Sequence, residues 1–142
     1  TFDQLNYFGK GPHESYQDRQ LGAKLGRYQQ TLAQFGTPYI RPQEHSNHMG
    51  IREIHFTNTQ QKGITIQGQA LNISAYPYTI DELDQAQHTV ELPQRDFITV
   101  NIDAVQMGLG GDNTWDYKAA PHSEHQIQPG RYQLAFVLSP KQ

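Results

Sequence analysis

The chain has 142 residues, of which 35% are hydrophobic, and this length and composition fit one globular domain over residues 1–142. Its 11 Lys and Arg against 14 Asp and Glu leave a net charge of −3. The absence of cysteine excludes disulfides, cysteine nucleophiles and thiolate zinc sites, and the mild acidity without basic runs argues against nucleic-acid binding. No apolar stretch approaches the about 18–20 residues of a membrane-spanning helix, and the first residues lack a signal-peptide pattern, which favours a cytoplasmic protein without membrane contacts.

Apolar residues recur at helical spacing early in the chain, at Leu21, Leu25, Tyr28, Leu32 and Phe35. This spacing predicts a helix, but Gly22 and Gly26 each cost about 1 kcal/mol in a helix interior, so extended chain is the competing prediction. Residues 52–56 then form a short candidate strand.

A longer alternation follows, whose apolar members are Ile64 and Ile66, then Ala70 and Leu71, then Ile73 and Ala75. The period of two predicts a half-buried strand. The apolar phase changes from even to odd positions on the way, and a β-bulge, which inserts one residue and exchanges the two faces, would explain the slip.

The second half of the chain predicts one short helix and two strands. Thr79 with Glu82 three residues later is a capping box, which predicts one or two helical turns. Residues 98–104 and 132–138 alternate with a period of two, and the second run follows Pro129-Gly130, a type II turn pair. Together these elements predict an all-β fold, an antiparallel β-sandwich with one or two short helical turns.

The densest polar segment, residues 107–116, follows directly on the predicted strand 98–104. Its turn-forming residues are Gly108, Gly110, Gly111, Asp112 and Asn113. The only tryptophan, Trp115, lies near its end, and an indole on a polar loop offers an apolar face and one N–H donor, which suit a sugar ring. The alternative is that Trp115 plugs the end of the sandwich, since aromatic residues mostly pack.

Metal and phosphate sites are disfavoured. No Lys-Ser or Lys-Thr follows the glycines, and the alternation of Asp112, Thr114 and Asp116 lacks the other ligands of a calcium loop. Two pairs of histidines are spaced by three residues, His45 with His48 and His122 with His125. Both pairs lie in loop-like sequence without a third ligand in register, so we expect structural or surface roles and no metal.

Nothing in the sequence marks a catalytic pair of carboxylates. A glycosidase needs two carboxyl groups about 5–5.5 Å or about 6.5–9.5 Å apart, and spacing along the chain does not supply that distance. Glu14 and Glu44 are equally well interpreted as loop anchors, paired with Arg19, Arg41 or backbone N–H groups.

Five distinctive tracts follow one another along the chain. They are Tyr7-Phe8-Gly9-Lys10-Gly11-Pro12-His13-Glu14-Ser15-Tyr16-Gln17-Asp18-Arg19, Thr37-Pro38-Tyr39-Ile40-Arg41-Pro42-Gln43-Glu44, Leu71-Asn72-Ile73-Ser74 leading to Tyr78-Thr79, Met107-Gly108-Leu109-Gly110-Gly111-Asp112-Asn113-Thr114-Trp115, and Pro129-Gly130-Arg131-Tyr132. In this order they resemble the C-terminal domain of family 2 glycoside hydrolases of the β-galactosidase type, the region that forms the small subunit of two-chain enzymes. Asn113 stands where that family often has a second Asp, and because both side chains form hydrogen bonds, we expect the turn to survive.

The resemblance implies a large antiparallel β-sandwich of the galactose-mutarotase-like, or supersandwich, type. It implies that Trp115 packs beside a bound galactoside, supported by the loop of Gly108, Gly110, Gly111, Asp112 and Asn113. The catalytic glutamates and a magnesium site would belong to a barrel domain or large subunit, the expected partner. This chain would then hold no catalytic residue, metal or cofactor.

The tracts begin inside the family's domain, so we expect a fragment that lacks the first strands, which would also explain why Thr1 replaces an initiator Met. Two other functions stay open. A stand-alone carbohydrate-binding module would bind free sugar through an exposed Trp115. A structural domain for contacts with other domains or subunits would bury Trp115 and expose an apolar patch instead.

Overall fold

The computed structural model describes all residues, 1–142, and strands dominate it. The strands are β1 (Gln4–Gly11), β2 (Lys24–Thr31), β3 (His48–Thr57), β4 (Gly63–Tyr76), β5 (Thr99–Asp103) and β6 (Phe136–Lys141). The helices are α1 (Leu32–Phe35) and α2 (Ile80–Gln85), with single 3₁₀ turns at Gln20–Gly22, Thr89–Glu91, Tyr117–Ala119 and Ser123–His125. No helix has the length and hydrophobicity needed to cross a membrane.

The six strands form one sheet in the order β2-β1-β3-β4-β5, and every pairing is antiparallel. Strand β4 is long enough to pair twice along its outer edge. Its first half, Gly63–Gly68, pairs with β6, and its second half, Asn72–Tyr76, pairs with β5. The predicted all-β class is confirmed, and the sheet is consistent with a β-sandwich.

The predicted bulge lies in the middle of β4. Between the pairs Glu53↔Gln67 and Ile51↔Leu71, two steps along β3 face four steps along β4, and Ala70 adopts a left-handed φ of 55°. Across this irregularity the inward positions of β4 change from even to odd numbers, from Ile66 to Leu71 and Ile73. Ile66 and Ile73 therefore belong to the same buried cluster, although one precedes the bulge and the other follows it.

That cluster holds eleven buried residues and is closed at one end by aromatic rings. Phe35, delivered by α1, stacks on His48 with ring centroids 3.8 Å apart, and Tyr7 meets both rings edge-on at 5.6 and 5.5 Å. The short helix is fixed by a capping box, in which Thr31 and Gln34 exchange hydrogen bonds. A single helical turn thus suffices to bring Phe35 over the sheet.

The helix suggested by the early apolar spacing does not form over β2 (Lys24–Thr31), where the competing extended prediction is correct, and only its last four residues are helical, as α1 (Leu32–Phe35). Strand β2 pairs with β1 through all eight of its residues. Leu21 is fully exposed and Leu25 is 52% exposed, so these two leucines form no buried stripe with Leu32 and Phe35, which do lie in the core. Gly22 and Gly26 weaken a helix here, whereas the edge of β1 offers a complete set of backbone partners.

The later predictions are largely confirmed. Helix α2 begins with the Thr79–Glu82 capping box, and β5 lies inside the predicted strand 98–104. Strand β6 begins at Phe136, so Tyr132 of the predicted run lies outside it. Gly130 is not among the glycines with positive φ, and the type II turn predicted there does not form.

The substitution Ile54→Ala should lower the free energy of unfolding of the chain by about 2–5 kcal/mol, because it opens a cavity in the core. Ile54 has no exposed surface, and it lies in the central strand β3. Urea unfolding followed by circular dichroism measures the change.

Val90→Ala is the matched control, since Val90 is 91% exposed. We expect this substitution to change the free energy of unfolding by less than about 0.5 kcal/mol. Equal effects of the two substitutions would contradict the assignment of the core.

Candidate functional site

The segment that carries the tryptophan leaves the sheet at the β4 bulge. Strand β5 ends at Asp103 and β6 starts at Phe136, both on the same side of β4. A notch between them is lined by Gln69, Ala70, Leu71, Asp103, Ala104, Gln133, Leu134 and Ala135. Residues 104–135 extend from this gap, and we call residues 107–119 the tryptophan loop.

The indole of the tryptophan loop faces solvent, while the backbone beneath it is held by side chains. Trp115 is 90% exposed. Asn113 Oδ1 accepts the backbone N–H of Trp115 at 2.9 Å and that of Asp116 at 3.4 Å. Asp116 Oδ1 in turn accepts from Asn113 Nδ2 at 3.0 Å and from the Lys118 N–H at 2.9 Å. The turn expected to survive with Asn113 does form, and Trp115 does not plug the end of the sheet within this chain.

The glycines of the tryptophan loop are required by its geometry. Gly110 and Gly111 have φ values of 73° and 99°, which favour glycine. A Cβ on Gly110 would lie 2.2 Å from the carbonyl oxygen of Ala119, which also accepts the Gly111 N–H at 2.8 Å. Gly108 donates its N–H to the carbonyl of His125 at 2.8 Å. The two ends of the loop are therefore packed backbone against backbone.

Asp18 and Arg19, at the end of the first tract, bind the start of the tryptophan loop. Asp18 Oδ1 accepts the N–H of Leu109 at 3.0 Å, and Oδ2 accepts that of Gly110 at 2.7 Å. Arg19 donates to the carbonyl of Gly110. Burial of the carboxyl opposes ionisation, but the N–H groups of Gly110 and Leu109, together with Arg19, outweigh it and lower the pKa of Asp18.

No pattern in the sequence assigns a role to Asp18, and Arg19 is predicted only as a possible partner for a glutamate. The only feature of the sequence that points to Asp18 and Arg19 is their position at the end of the first tract. No local pattern links either residue to a loop more than ninety positions away.

Asp112 forms an ion pair at the surface of the loop. His122 Nε2 lies 2.7 Å from Asp112 Oδ2, and both side chains are more than half exposed. The hydrogen bond and the negative charge of Asp112 raise the pKa of His122 above its ordinary value. Asp112 therefore ties the tryptophan loop to the segment that follows it.

His45 and His48, the first of the two predicted histidine pairs, are each held separately within the fold. His45 Nε2 pairs with the hydroxyl of Tyr78 at 2.9 Å, and His48 contacts the carbonyls of Ser46 at 2.9 Å and Pro12 at 3.2 Å. Burial lowers the pKa of both rings. No group of three His, Asp or Glu side chains converges as metal ligands would.

The two glutamates considered for catalysis anchor loops. Glu14 Oε2 accepts the backbone N–H of Ser46 at 2.7 Å, and Oε1 accepts the hydroxyl of Tyr39 at 2.5 Å. Glu44 Oε1 accepts from Gln106 Nε2 at 2.9 Å. Of the predicted partners, a backbone N–H is correct for Glu14, and the arginines are not used.

The tryptophan loop offers an exposed platform and no enclosed pocket. None of the five main clefts of the chain is lined by Trp115. The most apolar of them is formed by Phe2, Phe56, Phe97 and their neighbours, and Trp115 is not among its lining residues. The chain by itself therefore covers only one face of a ligand that rests on the indole.

Comparison with known proteins identifies relatives over nearly the whole chain. Residues 1–138 match the family model of the beta galactosidase small chain. A beta-galactosidase of Priestia megaterium is 39% identical over 142 residues, covering 99% of this chain, and one of Streptococcus thermophilus is 37% identical, covering 98%. A beta-galactosidase of Lactobacillus delbrueckii subsp. bulgaricus is 38% identical over 94% of this chain. The chain spans only 13–14% of the length of these relatives.

The substitution Asp112→Asn should return the pKa of His122 towards its ordinary value, because it removes the negative charge and leaves only a neutral, weaker acceptor. A raised folded pKa means that the pair stabilises the loop below the unfolded pKa and that this contribution is lost as the pH rises through the folded pKa. A titration of the histidine ring protons by NMR measures the shift.

Asp84→Asn serves as the control, because Asp84 is an exposed carboxylate on α2 and lies outside the loop. It should leave the titration of His122 unchanged. An unshifted His122 in Asp112→Asn would mean that the ion pair does not persist in solution.

Proposed function

The chain belongs to the beta galactosidase small chain family, and we propose that it is a non-catalytic C-terminal domain of a family 2 β-galactosidase that contributes Trp115 to the galactoside site. The enzyme would hydrolyse terminal β-D-galactosides such as lactose. The observation that carries the proposal is the exposed indole of Trp115, on a loop whose backbone N–H groups are bound by the side chain of Asn113.

An indole suits this role because a galactose ring has apolar C–H groups on one face and hydroxyl groups around its edge. Trp115 would stack on the C–H face and keep water from that side. Stacking raises the rate only where it favours the transition state or positions the sugar for attack, so the platform acts as a positioning surface.

The bond-breaking chemistry is proposed to lie on other parts of the enzyme. A retaining glycosidase uses one carboxyl group as acid and base and a second as nucleophile, through a covalent glycosyl-enzyme. We assign both carboxylates, and the magnesium ion expected with them, to a barrel domain or large subunit. In residues 1–142 the glutamates considered for catalysis instead bind loop backbone and neighbouring side chains.

The partner of this domain is proposed to be the remainder of the same enzyme. The relatives are about seven times longer than the matched region, which supports a domain that works within a larger protein. Strand β6 has a free edge and leaves Phe136, Val137 and Leu138 between 43% and 60% exposed. Apolar surface of this kind supports contact with further polypeptide.

In the full-length β-galactosidase that contains this chain, Trp115→Ala should raise the KM for a galactoside about 5- to 150-fold. This range corresponds to the about 1–3 kcal/mol expected for the loss of an aromatic stacking platform. Steady-state kinetics with lactose and with a nitrophenyl galactoside measure it, and circular dichroism checks that the variant is folded.

Tyr117→Ala is the matched control, because Tyr117 is an aromatic residue of the same loop that is 81% exposed. We expect it to leave KM nearly unchanged. If KM and kcat are both unaltered in Trp115→Ala, the platform role is wrong.

A second measurement separates a domain fragment from a carbohydrate-binding module, the alternative suggested by the exposed ring. Isothermal titration of the isolated chain with galactose and with lactose should give affinities weaker than about 1 mM, because one open face covers little of the sugar. Saturable binding well below this concentration that disappears in Trp115→Ala would favour the module instead.

A further inference from the structure

We infer that Asp18 is a positioning residue for Trp115, whose carboxylate fixes the tryptophan loop against the sheet and so sets where the indole meets the galactoside. The inference rests on the proposed function, because the effect on substrate requires that Trp115 contacts the sugar. It adds a residue of the first tract to a site that otherwise consists of the loop alone.

The contact between Asp18 and the loop is unusually specific. Its two carboxylate oxygens accept two consecutive backbone N–H groups, from Leu109 at 3.0 Å and Gly110 at 2.7 Å. The carboxylate is 9% exposed, and hydrogen bonds to an ionised acceptor are stronger than neutral ones. Arg19 donates to the carbonyl of Gly110, in the following peptide. Gly110 is thereby fixed by both of its polar groups.

Gly110 directly precedes a closed segment, Gly111 to Ala119, that contains the indole. The Gly111 N–H donates to the Ala119 carbonyl at 2.8 Å, which brings both ends of the segment together. Inside it, Asn113 and Asp116 are joined by a side-chain hydrogen bond of 3.0 Å around Trp115. A segment closed and cross-linked in this way moves as a unit, so a displacement of Gly110 would displace the indole.

Asp18 itself is attached to the core. Ser15 donates its backbone N–H to the carbonyl of Asn47 at 2.7 Å, and its Oγ accepts the Met49 N–H at 3.1 Å, which joins the first tract to the start of β3. Tyr16 is buried, and its carbonyl accepts the Arg19 N–H at 2.9 Å. The chain of contacts therefore runs from the sheet through Ser15 and Asp18 to the tryptophan loop.

A purely structural role for Asp18 would predict a different result. Loss of a structural contact lowers the stability of the enzyme without a selective effect on substrate binding. Loss of a positioning contact raises KM in a way that depends on Trp115. The two roles are separated by measuring the effect of Asp18 with and without the indole.

The test is Asp18→Asn in the full-length β-galactosidase, because Asn keeps the shape but replaces one acceptor oxygen with an N–H₂ group that faces a backbone donor. We expect KM for a galactoside to rise about 10- to 100-fold, the order of loss produced by a misplaced positioning group. In the Trp115→Ala background, Asp18→Asn should raise KM no further. Asp84→Asn, an exposed carboxylate on α2, is the control and should leave KM unchanged.

A second readout does not involve the sugar. Hydrogen exchange, followed by mass spectrometry in peptides that cover Leu109 and Gly110, should be faster in Asp18→Asn, while peptides from β3 exchange at the rate of the unsubstituted enzyme. If Asp18→Asn does not fold, Arg19→Gln removes the bond to the Gly110 carbonyl. It should raise KM in the same Trp115-dependent manner by a smaller factor.

The failures of the two proposals are distinguishable. An unchanged KM in Trp115→Ala defeats the proposed function. If Trp115→Ala raises KM but hydrogen exchange at Leu109 and Gly110 is unchanged in Asp18→Asn, the assignment of Asp18 is wrong. Additive effects of the Asp18 and Trp115 substitutions on KM overturn it as well.

Discussion

The change of register in the middle of β4 is the constraint on which the rest of the molecule depends. Without the bulge at Ala70, either Ile66 or Ile73 would face away from the core, because alternate side chains of a strand point to opposite faces. The same irregularity divides the outer edge of β4 between β5 and β6. The chain leaves and re-enters the sheet at this division, which is why a long polar excursion fits there without breaking the sheet.

Tracts that are far apart in the sequence meet around that excursion. The first tract contributes Ser15, which is bonded to the start of β3, and Asp18, which is bonded to Gly110. The second tract is bonded to the first, since the hydroxyl of Tyr39 donates to Glu14. Chemically distinctive residues thus serve mainly to fix loops to the sheet. Within the tryptophan loop, the indole of Trp115 and the ring of Tyr117 are left 90% and 81% exposed.

Local patterns predicted the elements that local physics determines. The period of two found β4 and β5, its change of phase located the bulge, and the capping box found α2. Strand β1 was missed because Gly9 and Gly11 occupy two of its inward positions, where a Cβ on Gly9 would lie 2.4 Å from the side chain of Ile51. The contact from Asp18 to the loop spans more than ninety residues and has no local signature. The exposure of the indole likewise follows from tertiary structure.

The position of the single tryptophan has a consequence for spectroscopy. Trp115 lies almost wholly in water, whereas Tyr7 and Tyr76 are buried in the sheet. Emission excited at the red edge of the absorption band will therefore report the loop alone and will scarcely change when the sheet melts. The tyrosine signal will follow the melting. The two chromophores of one short chain thus give separate optical records of its rigid sheet and of its exposed loop.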